Sequence, residues 1–520
     1  MNQHGYAMRQ AKAIALLGTG SDVGKSILSA GLCRLLRRAG RAVAPFKAQN
    51  MSLNSWVTPE GGEIGRAQAL QAEACGIAPH VDMNPILLKP ESDTCSQVIV
   101  HGKVKSKQEA AAYFQSGLPL FEMVRESYER LARCYDVIVI EGAGSAAEVN
   151  LRDRDLVNWP VVRLADARVL LIADIDRGGV FAQVVGTLDL LTEEERRRVV
   201  GIIINKFRGD RALFESGVAF LEKRTGIPVL GVVPFLRELR LDQEDALQLD
   251  MRRAGAFTPQ HINVAVLLLP HMSNFTDFNA LLNEPDVALQ YSSSPGELAD
   301  ADVVIIPGTK NTLADLRYLE ERALCDALHA HVRRGGELVG ICGGYQMLGR
   351  RIEDPYDVEA GGRATGLGLL DVTTVLRREK TTTLVEGVAL HIDRSSVLQV
   401  RGYHIHMGET RRGDQEPSFR LTKVSGREPG SSDMRHLNVD SLDGAARADS
   451  LVWGTYIHGL FDGPGFRRAW LNRLRRRKAW PLLDVAVSQA ATAQQQRELD
   501  RWADHVQQHM NLSPIWKGLW

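Results

Sequence analysis

Two short motifs carry residues whose types and spacing could do chemistry, and each directly follows an apolar run. The first is Gly18-Thr-Gly-Ser-Asp-Val-Gly24-Lys25-Ser26, behind Ala13–Leu17 and opening a helix. A glycine-rich turn at a helix N-terminus points backbone N–H groups at an anion, which makes it a phosphate cradle. Gly20 and Gly24 let the backbone approach a nucleotide, Lys25 reaches toward its β- and γ-phosphates, and Ser26 offers an oxygen to Mg²⁺. Strict phosphate-loop spacing is missed, because Thr19 stands where the first glycine belongs. A second acid-bearing strand end, Glu141 after Val137–Ile140, is placed to hold or orient the same metal. Asn205, after Val200–Ile204, falls where the nucleotide base could be read.

The other motif is Gly340-Ile-Cys342-Gly343-Gly344, after Glu337–Ile341 and before a helix over Tyr345–Arg350. It reads as a nucleophile elbow with sulfur in place of oxygen. A helix N-terminus lowers a thiol's pKa, and the Gly343 N–H can stabilise an oxyanion. His458, ending the run Leu451–Ile457, is the candidate base, and Gly308 or Thr309 after Val303–Ile306 the candidate second oxyanion donor. Cysteine, histidine and oxyanion donors together point to acyl transfer through a thioester.

The elements that must position these residues alternate between short runs of Val, Ile and Leu and longer amphipathic stretches. Strands are expected at Ala13–Leu17, Val43–Phe46, Val137–Ile140, Val169–Ala173, Val200–Ile204 and Val229–Val233, with helices over Ser26–Ala39 and Gln108–Cys134. Strands with little alternation are buried on both faces, so the class is α/β with a doubly wound, mainly parallel sheet. Residues 251–260, MRRAGAFTPQ, read as a linker between a first domain (1–250) and a second α/β domain (261–466). The second has strands at Val264–Leu269, Val303–Ile306, Glu337–Ile341 and Leu451–Ile457; residues 467–520 read as a polar helical extension.

At 520 residues the chain is long enough for two or three cores. It is 44% hydrophobic and 24% charged, which excludes disordered and fibrous classes. Lys and Arg number 63, as do Asp and Glu, so no net charge points to nucleic acid or an anionic membrane. No secretory signal or membrane-length apolar run appears, and the six cysteines are scattered without a CxxC pair; a reduced cytosol is the expected setting. The basic run Arg473–Lys478 reads as a solvated helix face rather than an anion site. His404 and His406 alternate on a strand with no third metal ligand in view, so packing is expected of them.

An ATP site and a thioester-forming cysteine in one chain suggest glutamine-dependent amidation. The segments GTGSDVGKS, FKAQNMSLNS (Phe46–Ser55), EGAGSAAEVNL (Glu141–Leu151), DIDRGGVF (Asp174–Phe181), NKFRGD (Asn205–Asp210), PGTKNT (Pro307–Thr312), GICGGYQMLG (Gly340–Gly349) and YIHGLF (Tyr456–Phe461) resemble the family of cobyric acid synthases. The resemblance implies a dethiobiotin-synthetase-like ATPase domain fused to a class I glutamine amidotransferase domain. It implies Cys342 as nucleophile, His458 as base, and Lys25, Ser26 and Glu141 serving Mg-ATP. It also implies amidation of the b, d, e and g carboxylates of adenosylcobyrinic acid a,c-diamide, a corrinoid, to adenosylcobyric acid in cobalamin biosynthesis.

The related cobyrinic acid a,c-diamide synthases would show an FKVGPDYID-like segment in place of FKAQNMSLNS. Two rivals are a partition-type ATPase without a small-molecule product, and a synthase with a degenerate glutaminase that uses free ammonia. The family pattern is departed from twice: Leu460 replaces the glutamate two residues past the histidine in many class I amidotransferases, and His404 stands where relatives read GYEIHMG. What orients His458, which residues hold the corrin, the oligomeric state and the role of the C-terminal helices stay open.

Overall fold

The computed structural model describes residues 11–90, 95–109, 117–236, 239, 241, 256–359, 361–392, 397–427 and 434–519. The chain forms two compact units, 1–52 with 63–245 and 495–520, and 53–62 with 246–494. Half of the stretch read as a linker, 251–255, lies outside the described residues.

The first unit is built on a six-stranded parallel sheet in the order Val229–Pro234, Val199–Phe207, Arg168–Asp174, Lys12–Gly18, Val137–Glu141, Val43–Phe46. Its strands are almost wholly buried, as runs covered by helices on both faces must be. Lys12–Gly18 lies mid-sheet, and its pairing of Leu16 with Glu141 brings that carboxylate beside the phosphate loop. Of the expected helix over Gln108–Cys134, Gly117–Cys134 is helical, residues 110–116 lie outside the described residues, and Gln108 belongs instead to a strand, Lys103–Glu109, of a separate four-stranded sheet. Those strand residues, KVKSKQE, hold a single apolar residue, Val104, and so show no apolar alternation.

The second unit has a parallel sheet in the order Val287–Ser292, Ile262–Leu267, Val303–Ile306, Glu337–Ile341, Val452–Thr455, with Ala445–Ala446 antiparallel at the edge. Ile306 pairs with Gly340 and Ile341 with Thr455, so three strand ends lie side by side. A further sheet was not anticipated: Val372–Ala389 and Leu398–Arg412 form a long antiparallel pair, extended by Phe419–Arg427 and Met434–Asp443.

The C-terminal extension is not a polar appendage. Helix Pro464–Arg477 buries Phe466, Trp470, Leu471 and Leu474, together with Arg467 and Arg468, in the second unit. Arg467 pairs with Glu284, and Arg468 with Glu284 and Asp286. The basic run likewise is only partly a solvated face, through Arg476 and Arg477. Arg473 and Arg477 converge on the wholly buried Glu337, Arg475 reaches Asp286 at 2.9 Å, and Lys478 reaches Asp302 at 2.6 Å. Charge counting along the helix could not reveal this, because each partner comes from a distant strand end. In the first unit, Trp502 of helix Val485–His509 donates to the Ile27 carbonyl at 2.6 Å, and Asp500 pairs with Arg34 at 2.8 Å.

Candidate functional site: a phosphate loop and a cysteine elbow

The phosphate loop leaves Gly18 and enters helix Lys25–Arg38 through Gly24, whose φ of 95° is one that side chains resist. A Cβ there would also strike the Asn205 amide at 2.2 Å, so glycine is required on two counts. Gly20, by contrast, has open space around its α-carbon. Lys25 folds back over the loop, its Nζ donating to the carbonyls of Gly20 (2.8 Å) and Gly144 (3.0 Å). Asn205 supports the loop by donating to the Val23 carbonyl at 2.9 Å. Its carboxamide nitrogen is thus spent on the loop backbone rather than left free for a base.

Ser26 donates to Glu141 Oε1 at 2.6 Å, and Lys47 Nζ approaches the same oxygen at 2.8 Å. Gln71 donates to Oε2 at 2.6 Å. Burial pushes the Glu141 carboxyl up, but the Lys47 ammonium and the bonds from Lys47, Ser26 and Gln71 outweigh it and hold it below the ordinary range. The acid therefore stays charged, and with the Ser26 hydroxyl it presents a pair of hard oxygens suited to Mg²⁺ beside the loop. Lys47 was not singled out from sequence, although it lies within Phe46–Ser55.

At the elbow, Cys342 adopts φ 51° and ψ −108° between its strand and helix Gly343–Leu348. A non-glycine residue held there is strained, and such a turn lifts the side chain clear of the sheet. The glycines around it answer to close packing. A Cβ on Gly344 would lie 2.0 Å from the Ile306 carbonyl oxygen, and one on Gly340 2.7 Å from Gly344 backbone. Gly343 abuts Thr309, whose backbone nitrogen would be 3.2 Å from a Cβ on Gly343, while Gly308 abuts the His458 ring. The structure thus brings Cys342, His458, Gly343 and the Gly308-Thr309 turn together. Cys342 N–H donates to the Thr455 carbonyl at 2.8 Å, fixing the elbow to the strand that leads to His458.

His458 is fully buried, with Nδ1 2.7 Å from Asp277 Oδ2. The other Asp277 oxygen accepts from the Gly459 backbone at 2.9 Å. Nδ1 being engaged by Asp277, Nε2 is the ring nitrogen left to act on Cys342, whose Sγ donates to the Ile405 carbonyl at 3.6 Å. Burial pushes the imidazole down, but Asp277 and then Cys342 push it up, to about 10. The histidine therefore carries its proton at neutral pH and faces the thiol as an imidazolium. Asp277 answers what orients His458 when Leu460 holds the place of the usual glutamate. No spacing in Phe275-Thr-Asp-Phe278 signals that role.

His404 lies in the same interior on strand Leu398–Arg412, its ring 5.4 Å from His406. Burial and the nearby His406 and His458 hold it neutral. Its Nε2, 3.6 Å from Asp443 Oδ1, makes no hydrogen bond. Among the described residues no cluster of three or more His, Cys, Asp or Glu could hold a metal ion.

Comparison with known proteins places both halves. A model of the CobQ/CobB/MinD/ParA nucleotide binding domain matches residues 14–248, and one of the CobB/CobQ-like glutamine amidotransferase domain matches residues 263–466. The chain is 46% identical over 523 residues to a cobyric acid synthase of Syntrophobacter fumaroxidans, covering 98% of this chain and 99% of that one. The chain belongs to the cobyric acid synthase family. It is also 50% identical over 513 residues to the Citrobacter koseri member (97% and 98% covered) and 46% over 512 to that of Dehalococcoides mccartyi (97% and 98%). As a family member it is an enzyme, a ligase of cobalamin biosynthesis with a nucleotide-binding and a glutamine amidotransferase domain. No described helix is long and apolar enough to cross a membrane.

Proposed function

We propose that the enzyme amidates the b, d, e and g carboxylates of adenosylcobyrinic acid a,c-diamide, giving adenosylcobyric acid, with nitrogen from glutamine and activation by ATP. The observation that carries the reading is the buried Asp277–His458 pair beside Cys342 at a strained elbow, combined with the phosphate loop of the other unit.

Cys342 attacks the glutamine side-chain amide as a thiolate, paired with the His458 imidazolium. The oxyanion that forms is met by the Gly343 N–H and by an N–H of the Gly308-Thr309 turn. The carbon–nitrogen bond then breaks as His458 passes its proton to the departing ammonia, leaving a thioester on Cys342. His458, now neutral, takes a proton from water, which attacks the thioester and releases glutamate. Asp277 holds the ring in one tautomer throughout.

In the nucleotide site Lys25 offsets charge on the γ-phosphoryl group as it passes from ATP to a corrin carboxylate. Ser26 and Glu141 would hold Mg²⁺, which neutralises charge on the phosphates when bound. Lys47 keeps Glu141 ionised for that task, and Asn205 sets the shape of the loop. Ammonia attacks the acyl phosphate, phosphate leaves, and an amide remains. The Asp277 carboxylate also speaks against a degenerate glaminase half, since the missing glutamate was the ground for that rival.

The test is mass spectrometry of adenosylcobyrinic acid a,c-diamide incubated with enzyme, Mg-ATP and amide-¹⁵N-glutamine. Four labelled additions that vanish in Cys342→Ala and return with ammonium are expected. An unchanged corrin alongside active glutamine hydrolysis would sink the substrate assignment.

A further inference from the structure

The loop that carries Asp277 is held by a segment remote in sequence. Residues Leu53–Gly62 are flanked on both sides by chain of the first unit, yet they fold as part of the second. Asn54 Oδ1 accepts from the Phe275 backbone N–H at 3.1 Å, and Asn274 Oδ1 accepts from the Ser55 N–H at 3.0 Å. Each asparagine thus caps the other's neighbouring backbone, and all four residues are buried. Asn274 sits in the left-handed region, at φ 52° and ψ 40°, which asparagine tolerates better than most residues. Its carbonyl accepts from Asp277 N–H at 3.0 Å, and its side-chain nitrogen stands 3.5 Å from His458 Nδ1.

A second connection runs through aromatic rings. Tyr403 stacks on His458 with centroids 5.5 Å apart and planes 17° apart. Trp56 packs against Tyr403 at 4.9 Å, and Tyr403 Oη lies 3.5 Å from the Ser55 carbonyl. Val57 shares a small cluster with Tyr403 and Ile405.

We propose that Leu53–Gly62 is a positioning element of the glutaminase centre: Asn54 and Ser55 fix the Asn274 turn and hence the aim of Asp277, and Trp56 fixes the ring that backs His458. The inference rests on reading Cys342 and His458 as the glutaminase pair. Asp277 stands on Phe275–Phe278, a 3-10 turn of four residues. So short a turn has few hydrogen bonds of its own, and its orientation is set by what caps it. A base displaced by a fraction of an ångström loses its alignment with sulfur, and rate with it. Asn54 and Trp56 act through other residues, so truncating them should slow turnover without weakening glutamine binding.

The experiment uses the full chain, with glutamine hydrolysis and ammonium-supported amidation measured separately for wild type, Cys342→Ala, Asn54→Ala, Asn54→Asp and Trp56→Ala. For Asn54→Ala the glutaminase kcat is expected to fall about tenfold, about 1.4 kcal/mol of barrier. KM for glutamine and the ammonium-supported rate should stay near wild type. Trp56→Ala should show the same pattern, and Asn54→Asp, which keeps the acceptor for Phe275 N–H, should recover most of the loss. An unchanged kcat in Asn54→Ala, a change confined to KM, equal losses in Asn54→Ala and Asn54→Asp, or a parallel loss with ammonium would each overturn the proposal. If Cys342→Ala still hydrolyses glutamine, it is the underlying reading of the glutaminase pair that fails.

Discussion

Asp277 decides the charge of His458, the residue proposed as the glutaminase base, and this makes it the sharpest target for a single change. In Asp277→Asn the largest influence raising His458 is removed, while burial, which lowers it, remains. Glutamine-dependent turnover should fall by about 10²-fold or more, the usual scale of general acid–base assistance. The pH profile should move as well. In the native enzyme His458 stays protonated until pH nears about 10, so activity that needs its proton is kept across the neutral range. Without Asp277 the alkaline decline should shift to lower pH, measurable as glutamate release between pH 6 and 10. A profile that keeps its alkaline limb would show that the charge of Asp277 does not govern His458. That Cys342 and His458 lie close together was legible because each stands in a short glycine-bearing motif behind an apolar run. Asp277 was not, since nothing between it and His458, 181 positions apart, announces that they meet.

Strands and helices of the parallel sheets could be read because burial on both faces leaves uninterrupted Val, Ile and Leu. Of the long pair Val372–Ala389 and Leu398–Arg412, only the stretch around His404 and His406 was read as strand; Val372–Ala389 escaped because its middle, Arg-Arg-Glu-Lys-Thr-Thr-Thr, reads as loop. The helix Pro464–Arg477 shows another limit: its arginines look solvated until the carboxylates of other elements are placed. Glu337 accepts from the indole nitrogens of Trp453 and Trp470, each at 2.8 Å, and pairs with Arg473 and Arg477. Glu337→Ala would leave these buried donors without an acceptor and should cost about 3–5 kcal/mol. Glu337→Gln keeps an acceptor for the indoles and should cost less. Thermal unfolding of both variants checks this, and equal melting temperatures for Glu337→Ala and wild type would refute it. Gly344→Ala tests the elbow by sterics alone: its methyl would meet the Ile306 carbonyl at 2.0 Å, so loss of glutaminase activity and a lowered melting temperature are expected together.

For the whole molecule, the division of labour predicts unequal damage. Cys342→Ala should abolish glutamine-supported amidation and spare the ammonium-supported reaction, whereas Lys25→Ala should abolish both, because it removes the charge that steadies phosphoryl transfer. Isotope-labelled product measured with each nitrogen source distinguishes them; a Lys25→Ala enzyme still active with ammonium would contradict the role given to the loop. The two-part organisation was visible as two successive α/β patterns, but the interleaving of residues 53–62 and 495–520 was not, since sequence order hides which core a segment joins. That interleaving bears on how such an enzyme can evolve. A gene cut once between its two α/β patterns would encode an amidotransferase polypeptide deprived of Asn54, Ser55 and Trp56, and a synthetase polypeptide still carrying them. Fission into separately encoded subunits is therefore not a neutral step for this chain: it would need a substitute for those residues, and until one arose selection would keep the two halves in a single reading frame.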